Sequence, residues 1–133
     1  MQEHTFVMIK PDGVARGLIG EVIGRLERKG LRLERMRMLT ITEELARRHY
    51  GEHVERPFFP ELLEFITSGP VVAMEWSGPG AIAAARALMG ATDPAKAHLG
   101  TIRGDFGLAV TQNIVHGSDG PESARRELEL FFG

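Results

Sequence analysis

Short apolar segments alternate with amphipathic ones along the whole chain, and this order confines the fold to a sheet covered by helices. Residues 5–9 form an apolar strand that Lys10-Pro11-Asp12-Gly13 breaks with turn chemistry. Ile19, Val22, Ile23 and Leu26 stand at i, i+3, i+4, i+7, the mark of an amphipathic helix, and Gly30 falls where it should stop. Leu31, Leu33, Met36, Met38 and Ile41 then alternate with Arg32, Arg35 and Arg37 as a strand. Its parity changes near Glu34 and Arg35, which predicts a bulge. Thr42 before Glu43 and Glu44 caps a short helix running toward Tyr50. Pro60 opens another helix, with Leu62, Leu63, Phe65 and Ile66 on its apolar face, and Gly69-Pro70 closes it. Residues 71–76 read as a buried strand, 81–89 as a helix ending at Gly90, 106–112 as the last strand, and Pro121 opens the last helix. The order β-α-β-α-α-β-α-β-α contains no linker or repeat, so a single domain over residues 1–133 is expected, an α/β sandwich. Pattern alone leaves a parallel or a mixed sheet open.

Composition narrows the function. With 43% hydrophobic and 26% charged residues the chain is ordinary globular. It has no cysteine, which excludes a disulfide framework, a thiolate metal site and a cysteine nucleophile, and suits a reducing cytosol. No basic-then-apolar leader opens it, and no apolar run approaches the ~20 residues of a membrane helix. A cytoplasmic protein with no membrane partner is expected. The net charge of −2 speaks against nucleic-acid binding through bulk charge but allows a local basic site for one phosphorylated small molecule. G-x-x-x-x-G-K-[ST], G-x-G-x-x-G and G-x-S-x-G are all absent.

Of five histidines, His4 reads as solvated and His98 lies in a polar loop without an evident partner. His49 and His53 are four apart and could share a helix face, with Glu52 as the near third metal ligand; a plain helix end is the alternative. His116 follows Ile114-Val115 at the end of a strand and precedes Gly117-Ser118-Asp119, which would hold it rigid and accessible. It is either a packing histidine or a nucleophile. In the last helix Ala124, Glu127, Leu128 and Phe131 form one stripe, whose carboxylate needs a donor if it faces the core. Glu127 either reaches water at the stripe's edge or accepts the ring N–H of His116 or the hydroxyl of Ser118. The second placement would fix the tautomer and free the other ring nitrogen for attack. A histidine nucleophile without thiol or metal suits phosphoryl transfer, which needs cations around the migrating group. Lys10, Arg86 and Arg103, at element ends or inside an alanine-rich helix, are the candidates; each arginine could equally be a solvated charge.

Asn113-Ile114-Val115-His116-Gly117-Ser118-Asp119 closely resembles the signature of the nucleoside diphosphate kinases. Four further blocks match in order: Ile9-Lys10-Pro11-Asp12-Gly13-Val14, Arg56-Pro57-Phe58-Phe59-Pro60, Ser68-Gly69-Pro70-Val71-Val72-Ala73-Met74 and Gly100-Thr101-Ile102-Arg103-Gly104-Asp105. The resemblance spans residues 5–132. It implies a ferredoxin-like α+β core, a four-stranded antiparallel sheet with helices on one main face. It also implies ping-pong transfer of a terminal phosphate from a nucleoside triphosphate, mainly ATP, to a nucleoside diphosphate through phosphohistidine.

By the same resemblance His116 is phosphorylated on Nδ1, Glu127 orients it, and Ser118 bonds that carboxylate. Lys10 meets the sugar hydroxyl and the moving phosphate, and Tyr50 lies close to the histidine. Arg86, Thr92 and Arg103 hold phosphates, and Asn113 bonds the ribose. Phe58 stacks on the base with Leu62 and Val110 nearby, a contact that tolerates any base. Mg²⁺ arrives on the nucleotide phosphates rather than in a protein cage. Members assemble as tetramers or hexamers, so a homo-oligomer is implied. Gly120-Pro121 and Leu99 depart from common family residues without touching these positions. The rival readings are a phosphohistidine transferase acting on a protein, an RNA-binding ferredoxin-like module, and an inactive member. The RNA module needs more aromatics on the sheet than Phe6 in the first strand.

Overall fold

A computed structural model describes residues 2–133. Its centre is a four-stranded antiparallel sheet in the order β2-β3-β1-β4, with β1 at Glu3–Ile9, β2 at Arg32–Thr40, β3 at Pro70–Gly78 and β4 at Val115–Gly117. The parallel alternative is thereby removed. β1 is a central strand, paired with β3 along its whole length and with β4 from Val7 to Ile9. That explains its unbroken apolar run, because both faces are buried. The expected irregularity in β2 is present, as a register shift against β3 between Leu33 and Arg35.

Helices lie on both faces rather than on one. Val7, Ile9, Val72, Met74 and Trp76 face α2 (Ile19–Lys29) and α5 (Ala81–Met89) through Val22, Leu26, Ala81, Ala85 and Met89. Phe6, Met8, Val71 and Ala73 face the other way. They pack on Ala46 of α3 (Glu43–His49), Ile66 of α4 (Phe59–Ile66) and Phe131 of α7 (Pro121–Phe132). Alternation of neighbours in β1 and β3 sends successive side chains to opposite layers, so each strand feeds two cores. Among the described residues no helix is long and apolar enough to cross a membrane.

Local signals set the helix ends. The Thr42 hydroxyl accepts Leu45 N–H at 3.1 Å, and Gly30 takes φ 109° to close α2. The breaker after β1 is itself a short helix, α1 (Pro11–Ala15), with Pro11 in its first turn.

The last strand is not where periodicity put it. Residues 101–105 lead into α6 (Ile102–Phe106), capped by Thr101, whose hydroxyl accepts Gly104 N–H at 3.0 Å. The segment after it, within 106–112, makes only an isolated bridge between Ala109 and Gln112, with Leu108 92% exposed. The edge of β1 is taken instead by Val115, His116 and Gly117. Strand identity is decided by which segment reaches a free sheet edge, and periodicity cannot see that edge. His4, read as solvated, bonds Glu75 of β3 at 2.7 Å.

Candidate active site around His116

His116 stands in the middle of β4, opposite Met8, with its side chain a quarter exposed. Its Nε2 lies 2.8 Å from Glu127 Oε2, and the Ser118 hydroxyl donates to Glu127 Oε1 at 2.6 Å. Glu127 therefore faces inward on α7, only 3% exposed, with both oxygens engaged. Burial alone would push its carboxyl up. The hydrogen bond and charge of His116 outweigh that, with help from Ser118 and His49, and hold it below the ordinary value. A carboxylate on Nε2 assigns the proton to that nitrogen and leaves Nδ1 with its lone pair free.

The strand carrying His116 is gripped on both sides. Arg86 donates to the Gly117 carbonyl at 3.2 Å. Arg103 donates to the carbonyls of Val115 at 2.7 Å, Asn113 at 3.2 Å and Gly90 at 2.9 Å. Burial and then the charge of Arg86 lower Arg103 to about 10, so it stays cationic at neutral pH. Arg103 sits on α6 rather than in a loop before a strand. At Gly117 any Cβ would run into the Met89 side chain, so the backbone beside His116 can approach α5 only without one.

Just before the strand, Ile114 adopts φ 75°, a left-handed conformation rare for a β-branched residue and costing about 1–3 kcal/mol. Two contacts hold it there. Its N–H donates to Asp12 Oδ2 at 3.1 Å, and its carbonyl accepts Lys10 N–H at 2.7 Å. The turn after β1 and the turn before β4 thus brace each other. Lys10 Nζ donates to Asn113 Oδ1 at 2.9 Å, and Asn113 Nδ2 to the Thr92 carbonyl at 3.0 Å. Desolvation, reinforced by Arg103, lowers Lys10 to about 8. Its neighbour Asp12 works against the shift.

A cleft of about 930 Å³ opens from Lys10 between Phe58 and Leu62 on one side and Val110 on the other. Phe58 and Val110 are each 52% exposed, and the Phe58 ring lies 5.5 Å from that of His53. The expected residues converge in two groups: His116, Glu127 and Ser118 in one, Lys10, Phe58, Leu62 and Val110 in the other. Asn113, Arg86 and Arg103 lie along β4 between them. Thr92 joins through its carbonyl, and its side chain makes no hydrogen bond among the described residues.

His49 and His53 do not share a helix face. α3 ends at His49, and His53 lies in the following 3-10 turn. His49 instead turns inward, its ring centroid 4.9 Å from that of His116 and its Nδ1 3.9 Å from Glu127 Oε2. Tyr50 packs on His49 at 4.5 Å and reaches the same cavity as His116. Burial and then Glu127 push its hydroxyl pKa up, so it stays protonated. His49 and Asp12 are the residues whose roles the sequence did not reveal. Their only signal was position, two buried polar groups beside breaks in chain direction.

A ferredoxin-like sheet thus carries a carboxylate-held histidine on its last strand, with Lys10, Arg86 and Arg103 around it, an arrangement chemically suited to phosphoryl transfer. The family model described as nucleoside diphosphate kinase matches residues 3–133. The enzyme of that name from Archaeoglobus fulgidus is 64% identical over 130 residues, 98% of this chain and 86% of the relative. That from Symbiobacterium thermophilum is 61% identical over 131 residues, 98% of this chain and 87% of the relative. A halophilic nucleoside diphosphate kinase from Halobacterium salinarum, solved in complex with CDP, superposes with TM-score 0.97 at 53% identity, covering 99% of this chain and 88% of that one. The chain belongs to the nucleoside diphosphate kinase family.

Proposed function

We propose that this single domain moves the terminal phosphate of a nucleoside triphosphate, mainly ATP, to a nucleoside diphosphate by way of phosphohistidine at His116. The observation that carries the reading is the Nε2–Glu127 bond, which leaves Nδ1 as the free nucleophile. Nδ1 attacks the terminal phosphorus through its lone pair. The P–N bond forms as the bond to the bridging oxygen breaks, and the diphosphate leaves with the charge. The ring then carries a positive charge shared with Nε2–H, and Glu127 is placed to stabilise it. A second diphosphate enters the same site, and its terminal oxygen takes the phosphoryl group back from Nδ1. Ser118 keeps the carboxylate aligned in both halves.

The phosphates would meet Lys10, Arg86 and Arg103, with Thr92 beside them and Asn113 on the ribose. Cations at the phosphate end suit an anion that brings its own Mg²⁺, and the nucleotide is therefore written as its magnesium complex. Tyr50 would border the histidine as a neutral hydroxyl. The base would stack on Phe58 between Leu62 and Val110, a contact with the base's face that does not depend on its identity. The CDP complex of the Halobacterium relative supports a nucleotide in this family's site. A cytoplasmic homo-oligomer, tetramer or hexamer, completes the reading.

The test is an intact-mass spectrum after brief mixing with ATP and Mg²⁺ at neutral pH without acid quench, beside His116→Ala. One added phosphoryl group, absent from the variant and discharged by GDP to give GTP, is expected. No acid-labile adduct together with no GTP would overturn the mechanism.

A further inference from the structure

His49 has no task in the reaction just described, yet it is 4% exposed and, among the described residues, neither ring nitrogen has a hydrogen-bond partner. Its ring borders the cavity that also reaches Tyr50, His116 and Glu127, and buried ring nitrogens of this kind call for a partner. One ligand atom from each of His49, His116 and Glu127 lies within 4.8 Å of the other two. Nδ1 of His49 is 3.9 Å, and Nε2 of His116 2.8 Å, from the same oxygen, Glu127 Oε2.

We propose that His49, His116 and Glu127 form a zinc-type cation site that competes with the catalytic arrangement of the histidine. Two imidazoles and one carboxylate are the donor set that Zn²⁺ takes in open three-ligand sites, with water as fourth ligand. Ligand-to-metal distances of about 2.0–2.2 Å place tetrahedral ligand atoms about 3.4 Å from one another, so the 2.8 Å His116–Glu127 contact must open by roughly half an ångström and the His49 ring must turn in toward the other two. His49 is available as a ligand, since no hydrogen bond occupies either ring nitrogen among the described residues. Nε2 of His116 must release its proton to solvent, and the ion replaces that proton between ring and carboxylate. Solvent reaches the cluster through the cavity lined by Tyr50, His116, Ser123 and Arg126. Arg126 also approaches Glu127 Oε2, at 3.9 Å, but is half-exposed and donates to the carbonyls of Arg48 and His49, so its charge is largely screened.

The consequence for catalysis rests on the phosphohistidine reading. A cation on Nε2 draws electron density from Nδ1 and removes Glu127 from its orienting bond. Metal-bound protein is therefore a poor nucleophile, and by linkage the phosphorylated histidine is a poor ligand.

The test begins without nucleotide, which would itself chelate the ion. Zn²⁺ is titrated calorimetrically into the full chain, and Co²⁺ is used as a spectroscopic probe of tetrahedral geometry. Wild type should bind one ion per chain at this site. His49→Gln and His116→Gln should each bind at least tenfold more weakly and lose the tetrahedral cobalt spectrum. His4→Gln and His98→Gln should keep both. Unchanged binding in His49→Gln and His116→Gln, or no one-to-one binding in wild type, overturns the site. His116 is partly exposed, so its variant keeps the test decisive if His49→Gln does not fold. The intact-mass assay is then repeated with Zn²⁺, and phosphorylation should slow at least tenfold and recover with EDTA. Zinc that binds at the three residues without slowing phosphorylation overturns the competition. A protein that takes no phosphate in zinc-free buffer refutes the mechanism instead and leaves the binding isotherm to stand alone.

Discussion

The Ser118 hydroxyl donates to Glu127 Oε1 at 2.6 Å, and this leaves Oε2 for Nε2 of His116. The two oxygens of one buried carboxylate thus divide their work between an anchor and the His116 ring. Removing the anchor by Ser118→Ala leaves Oε1 buried without a donor. A hydrogen bond to a charged group contributes about 1.5–3 kcal/mol, so the rate of phosphohistidine formation should fall roughly 10- to 100-fold. Glu127→Gln, which loses the charge as well, should fall further. Stopped-flow or quenched-flow measurement of the first phosphoryl transfer checks both, and equal rates in Ser118→Ala and wild type would show the anchor to be idle.

Lys10 gives a pH signature. Its folded value of about 8 lies below its ordinary 10.5 because burial and Arg103 disfavour the charge. Between those values the unfolded chain binds the extra proton and the folded one does not. The Lys10 contribution therefore raises stability with pH across that window and is flat below about 8. Nucleotide binding should behave in the opposite sense, since phosphates need the cation. KM for the nucleotide should climb as pH rises above about 8, and Lys10→Gln should lose that alkaline limb while starting from a higher KM. A limb that persists in Lys10→Gln assigns it to another group.

Phe58 stands half-exposed at the mouth of the cleft. Stacking on a base contributes about 1–3 kcal/mol and is blind to base identity. Phe58→Ala should raise KM for ADP, GDP, CDP and UDP together, by roughly 5- to 100-fold. A change of preference among the four larger than the common loss would contradict the stacking account.

Ile114 offers a test of strain. At φ 75° alanine is penalised and glycine is not. Ile114→Gly and Ile114→Ala both empty a fully buried position, so both lose stability. Yet the glycine variant should be the more stable of the two by about 1 kcal/mol, the reverse of the order in regular structure. Urea unfolding of the pair decides it.

Much of this is legible in the sequence. The breaker after residue 9, the cap at Thr42, the stop at Gly30 and the parity change at Glu34 are local events, set by the backbone preferences of a few adjacent residues. The stripe on the last helix already posed two places for Glu127, water at its edge or a donor inside, and its burial beside His116 and Ser118 is the second. What sequence could not settle was non-local. The run 106–112 has the composition of a strand, but the free edge of β1 went to Val115–Gly117. Helices on both faces follow from how α3, α4 and α7 return across the sheet, and the turn of His49 toward His116 from where α3 ends. The sequence by itself determined most of the elements and their caps, and it singled out His116 as the candidate nucleophile. Only the tertiary structure decided which segment completes the sheet and which buried groups face one another. Pairing and burial are relations between residues far apart in the chain, and no local pattern encodes them.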